Sequence, residues 1–342
     1  MLVSLQVKVA GWFLPGTWLR FVGNAIWWET WGPHVAGVTA LVIGAVCIRK
    51  EFSRALGIDK LTLLAPMFLA IPMAVFGADH FVFAKSIVRL VPSWIPGHLF
   101  WVLFVGVCLL AGSLGMVLRR HGILAAALFG IMLWLFVLLM HIPAVVRFPR
   151  ERLAWAIARR DLTFGAGALS LAAAQVPARW KRYARVFFIL VSVEMSIAAI
   201  FYAAEHFVHP ELLPGLPLED STPLWIPGRV PLAYLTGVVL LITGVGLNWN
   251  KGRKVAATGL GVMLLLLVIV LYTPIVIVQP RAIETGLNYL ADTLMYSGAV
   301  LCLAGSYGEK QTASDADGQP IVTTPPSGCR TSSTTCRPWR DR

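Results

Sequence analysis

Two acid–imidazole pairs recur in this chain: GADHF at 77–81 carries Asp79 and His80, and AAEHF at 203–207 carries Glu205 and His206. A carboxylate beside an imidazole can hold or relay a proton, or hydrogen-bond a polar headgroup. Neighbours in sequence point about 100° apart on a helix, so each pair needs its partner from another helix. For the first pair the candidates are His141, close to Pro143, and Asp161; for the second they are Tyr272, close to Pro274, and Asp292. Asp161 and Asp292 stand where a helix is predicted to begin, so they equally suit capping of free backbone N–H groups. His80 and His206 equally suit the part of satisfied interface histidines.

The elements that must position these groups are membrane helices. Hydrophobic residues make up 57% of the 342, charged residues 13%, and mean hydropathy is +0.73, whereas a soluble domain carries about 25% charge. Runs long enough to span the hydrocarbon core, roughly 20 helical residues, lie near 61–83, 98–118, 123–146, 186–208, 229–249 and 255–278. Shorter or interrupted runs lie near 35–48, 161–176 and 288–306. The expected fold is therefore all-α and polytopic, with about nine transmembrane helices and eight as the alternative. No charged leader with a small-residue cleavage site opens the chain, so no removable signal is expected. Residues 1–34 hold five tryptophans with Lys8 and Arg20, which suits an interfacial segment.

The net charge of +12 follows loop positions and calls for no nucleic acid. One side receives Arg49, Lys50, Arg54, Lys60, Arg119, Arg120, Arg179, Lys181, Arg182, Arg185, Lys251, Arg253 and Lys254, together with the basic tail. The positive-inside rule makes that side, and the C-terminal tail, cytoplasmic in a cell inner membrane. The exception is RFPRERLAWAIARRD at 147–161, which puts five arginines on the opposite side.

The stretch WIPG occurs at 94–97 and again at 225–228, and a shift of 131 lays 94–173 over 225–304 without a gap. Over a quarter of the positions match, among them Gly106 with Gly237, Gly115 with Gly246, Pro143 with Pro274, Asp161 with Asp292 and Gly167 with Gly298. Upstream the shift becomes 126, because the second loop is five residues longer. Two parallel four-helix repeats follow, at 61–176 and 186–306, joined by a basic linker at 177–185. Residues 35–60 add an extra helix and loop, and 307–342 form a tail of low complexity, expected to be disordered. WIPG reads as a helix entry, with Pro in the first turn and Gly where backbones crowd. The paired glycines read as close helix contacts.

Glu194 has no twin; its counterpart is Phe68. It precedes Glu205 by eleven residues, about three turns, so the two share a stripe about 16 Å apart in depth. An acid near mid-bilayer costs several kcal/mol unless neutral or paired. A second polar stripe runs through Asn288, Asp292 and Tyr296, and if the two meet they form a proton or headgroup path. The plain alternative is a protonated Glu194 bonded to a neighbouring helix. Haem and metal ligation find little support, since Tyr272 stands where the first copy has His141. Cys47, Cys108 and Cys302 lie in apolar helices, Cys329 and Cys336 in the tail, and there is no CxxC pair.

GADHF and AAEHF, the Pro-Gly entry WIPG, the helix ends HIP and YTP, and the final helices RDLTFGAGALSLA and ADTLMYSGAVLCLAG together resemble the DoxX-like family of four-helix membrane proteins. Its relative DoxD is a subunit of thiosulfate:quinone oxidoreductase. The resemblance spans about 60–306 as two copies, where the family usually has one. It implies a membrane subunit or quinone-interacting partner of a redox system, of undefined activity in most members, with a soluble or membrane oxidoreductase as partner and no covalently bound cofactor. The alternatives are a small-solute or proton-coupled transporter and a structural membrane scaffold.

Overall fold

The computed structural model describes residues 25–216 and 218–317. The segment 1–24 and the tail with Cys329 and Cys336 lie outside the described residues. The long helices, in chain order, are α1 (Ala25–Arg54), α2 (Asp59–Val82), α3 (His98–Val117), α4 (Gly122–Arg147), α5 (Arg152–Ala174), α6 (Lys181–Val208), α7 (Arg229–Gly246), α8 (Arg253–Val278) and α9 (Tyr289–Asp317). A turn at Ile283–Asn288 leads into α9. Among the described residues there is no strand, only one bridge between Leu212 and Ser221. Seven helices, all but α5 and α9, are long and apolar enough to cross a membrane.

The two that fall short are the innermost. Residues 291–304 of α9 are all buried, so that helix meets protein on every side and has no lipid to satisfy. Outward-facing positions carry large apolar side chains, such as Leu128, Leu138, Leu190, Leu235, Ile242 and Ile269, all exposed. Asp79, Asp161, Asp292 and His206 are buried. Apolar outside and polar inside is the distribution expected when the solvent is a bilayer.

Helices α2 to α5 pack in succession, as do α6 to α9. The two sets interlock: α5 packs on α6, α9 packs on α2, and α5 and α9 cross at the centre. At that crossing a Cβ on Gly167 would strike the backbone of Ala299, and where α9 packs on α2 one on Gly298 would come within 2.9 Å of Phe68. Small residues there let backbones touch, which is how helices gain attraction in lipid. Gly106 and Gly237 do the same beside His80 and His206, where an added Cβ would sit 2.8 and 3.2 Å from the histidine Cβ.

Several local features repeat at a spacing of 131. Gly97 and Gly228 have φ of 71° and 66° and precede α3 and α7. Both lie in open space, so WIPG ends in glycine for its left-handed backbone and not for crowding; its Pro sits before the helix and not in the first turn. Val137–His141 and Val268–Tyr272 form π-turns inside α4 and α8. Each is followed by a proline, Pro143 or Pro274, whose missing N–H and bulky ring an ordinary turn would not accommodate. The wider turn absorbs both defects.

Candidate functional site

The polar core is built around a residue that sequence reasoning counted only as a loop charge. Helix α5 begins at Arg152, after Glu151, whose side chain accepts from the Leu153 N–H at 3.4 Å. Asp161 therefore lies nine residues inside the helix and caps nothing, because the arginine-rich segment is helical. Asp292 does lie in the first turn of α9, behind the π-turn Ile283–Asn288, and its Oδ2 is turned to Arg160. Arg160 donates from Nε to Asp161 Oδ1 and from Nη1 to Asp292 Oδ2, both at 2.9 Å. His141, at the end of its π-turn, meets Asp161 Oδ2 through Nε2 at 2.9 Å. A carboxylate only accepts, so the imidazole donates there. One guanidinium thus joins two carboxylates that occupy the same position of α5 and α9.

The groups expected to mirror this arrangement do something else. Tyr272 does not bond Asp292; its hydroxyl donates to Pro214 O at 2.6 Å. Glu205 accepts from Arg152 at 3.2 Å, and Arg152 also donates to Leu218 O. His206 uses both nitrogens: Nε2 accepts the Gly215 N–H at 3.2 Å, which leaves Nδ1–H to donate to Tyr202 O at 2.6 Å. Tyr289 closes the same loop by accepting the N–H groups of Glu219 and Asp220 at 2.9 and 2.7 Å. Residues 211–216 and 218–222 form a cap over this end of α6, α8 and α9. His206 is thereby a fully satisfied structural histidine.

His80 is bonded within its own helix, Nδ1 to Phe76 O at 2.7 Å. It does not pair with Asp161, whose partners are His141 and Arg160. Asp79 meets neither His141 nor Asp161; it turns towards the start of α9 and the turn before it, where Asn288 is its polar neighbour and Glu284 and Asp292 act on it through space. Its two oxygens are buried without a hydrogen-bond partner, as is Asn288 Oδ1. The structure thus turns Asp79 and His80 to other partners than the expected ones.

Glu194 accepts from the Thr163 hydroxyl at 3.1 Å. The eleven-residue interval between Glu194 and Glu205 is matched by the eleven between Thr163 and Arg152 on antiparallel α5, so both acids do lie on one stripe. Tyr296 has a buried hydroxyl without a partner and feels Glu194 through space. The two polar stripes thus approach each other at Tyr296. Arg152 and Arg160 lie ahead of the apolar run at 161–176 and so read as loop, whereas three arginines, at 152, 159 and 160, inside a core helix demand acidic partners; Thr163 lies within that run and carries no signal of its own.

Among the described residues no three His, Cys, Asp or Glu side chains converge as metal ligands. An open cleft of about 740 Å³ on the opposite face is lined by Glu51, Arg54, Asp59, Lys254, Cys302 and Ser306 among others, and none of the candidate residues reaches it. No protein-family model, curated protein or solved structure matches the chain.

Proposed function

We propose that this chain is a duplicated, DoxX-like membrane protein that crosses a cell inner membrane nine times, with its basic face and tail cytoplasmic. On this reading the His141–Asp161 dyad hydrogen-bonds a quinone headgroup in the service of a membrane-associated oxidoreductase. The duplication is supported by the paired π-turns and paired left-handed glycines at one constant spacing. Nine crossings are supported by α5 and α9, each long enough to span and enclosed by the apolar seven.

The observation that carries the functional reading is the His141–Asp161 contact at 2.9 Å, anchored from behind by Arg160. The His141 side chain is 17% exposed, between exposed Leu138 and Ile142, where a lipid-soluble ring would arrive from the bilayer. With Nε2–H committed to Asp161, Nδ1 faces its surroundings as an acceptor when the ring is neutral and as a donor when it is protonated. A bound quinone would supply the electron carrier; this chain supplies orientation and a proton site.

The test is binding of a short-chain quinone to the protein in lipid nanodiscs. A hydrogen bond involving a charged group is worth about 1.5–3 kcal/mol, so His141→Phe should weaken binding by about tenfold or more. Unchanged affinity in both His141→Phe and Asp161→Asn would remove the reading. A second reading, proton-coupled transport, is supported by Glu194 and Thr163 lying mid-helix next to Tyr296. Solute flux in proteoliposomes that survives Glu194→Gln would count against it.

A further inference from the structure

The two halves differ in one ionic detail. Glu205, near the end of α6, has its countercharge built in: Arg152 of α5. In the duplicated register, which this comparison takes from the proposed reading, Asp79 corresponds to Glu205 and position 283 corresponds to Arg152. Position 283 is Ile283, buried in an apolar cluster with Val75, Leu287 and Ala291. Asp79 therefore faces the same kind of helix–helix contact as Glu205 with the cation deleted. It is 5% exposed, and neither of its oxygens has a hydrogen-bond donor.

Its surroundings increase the deficit. The charged groups acting on Asp79 are two acids, Asp292 of α9 and Glu284 of the turn that leads into it. His80 follows it on α2 and is turned to Phe76 O; α1, which also packs on α2, carries His34, bonded through Nδ1 to Thr30 O. Asn288 adds an amide oxygen that is itself without a donor. Three buried oxygens on two neighbouring side chains lack a partner within hydrogen-bond distance, and the Asn288 amide, the polar group acting on the carboxylate, brings a dipole but no countercharge. A buried carboxylate without a partner costs several kcal/mol.

We infer that Asp79 and Asn288 form a binding site for a small monovalent cation, a proton or a sodium ion, in the place that Arg152 fills in the second half. Carboxylate and amide oxygens are the hard ligands such ions prefer. The cation is exchangeable where Arg152 is fixed, so the first half would respond to ionic conditions and the second would not.

Thermal unfolding of the full chain in nanodiscs tests this, followed by tryptophan fluorescence in sodium chloride or choline chloride over a pH series. A saturating ligand should raise Tm by at least about 2–4 °C. A rise specific to sodium identifies the ion; a rise on acidification alone identifies the proton. Asp79→Asn, nearly isosteric, should abolish either response, and Ile283→Arg, which restores the fixed cation, should do the same. The proposal is overturned if the wild type responds to neither condition, if Asp79→Asn keeps the response, or if a folded Ile283→Arg protein keeps it. Quinone binding at His141 is read in a separate assay, so failure of one leaves the other standing.

Discussion

Arg160 holds the core together at the scale of single residues, and its removal should show how much. Its guanidinium satisfies Asp161 and Asp292 at once, so truncation leaves two carboxylates buried without a countercharge. Breaking a buried pair from one side costs about 3–5 kcal/mol. Arg160→Met should therefore lower the unfolding midpoint in denaturant strongly, and adding Asp292→Asn to it should recover part of the loss. If the single and double variants unfold alike, the pairing contributes nothing. Asp161 and Asp292 were legible in the sequence because they recur at one spacing; Arg160 was not, because position 291 is Ala291 and nothing repeats there. A residue that sits between two halves has no twin to reveal it.

At the scale of elements, repetition told more about backbone than about contacts. WIPG, HIP and YTP each mark a local feature that the sequence imposes: a left-handed glycine before a helix, or a π-turn ahead of a proline. The apolar runs located six helices well, since lipid contact demands apolar side chains all along the outer face, but marked only the middle, 35–48, of α1 at Ala25–Arg54. The start of α5 was missed by nine residues because arginines at 152, 159 and 160 look like loop when their acids lie on α6 and α9. The loop cap over α6 is a tertiary structure made of backbone bonds, with no motif to announce it. Tyr289→Phe removes the acceptor for the Glu219 and Asp220 amides, so hydrogen exchange at those two positions should speed up by about tenfold for each 1.4 kcal/mol lost, with Leu213 changed less. At the centre, Gly167→Val drives side-chain atoms into Ala299. Overpacking of that kind costs about 1–3 kcal/mol or more, and a Gly167→Val protein with an unaltered Tm would mean that α5 and α9 do not cross as described.

Across the whole molecule, the segments 61–176 and 186–306 pack into one interlocked body. Two helices bridge the sets: α5 packs on α4 and also on α6, and α9 packs on α8 and also on α2. The polar chemistry follows the same bridging, since Arg152 pairs with Glu205 of the second half and Arg160 reaches Asp292. A half expressed alone would present α5 or α9 with its small-residue face and buried acid or arginine exposed to acyl chains, where an unpaired charge costs at least about 2.5–3.5 kcal/mol. Residues 1–176 and 177–342 made separately should thus be degraded or aggregate, while the two co-expressed should insert and copurify through a tag on one of them. Stable accumulation of either half by itself, with helical content and a cooperative melt, would show that the bridging by α5 and α9 is not what stabilises the fold. Co-purification that is lost in Arg160→Met halves, and kept in Glu194→Gln halves, would assign the association to the shared guanidinium rather than to the deeper acid.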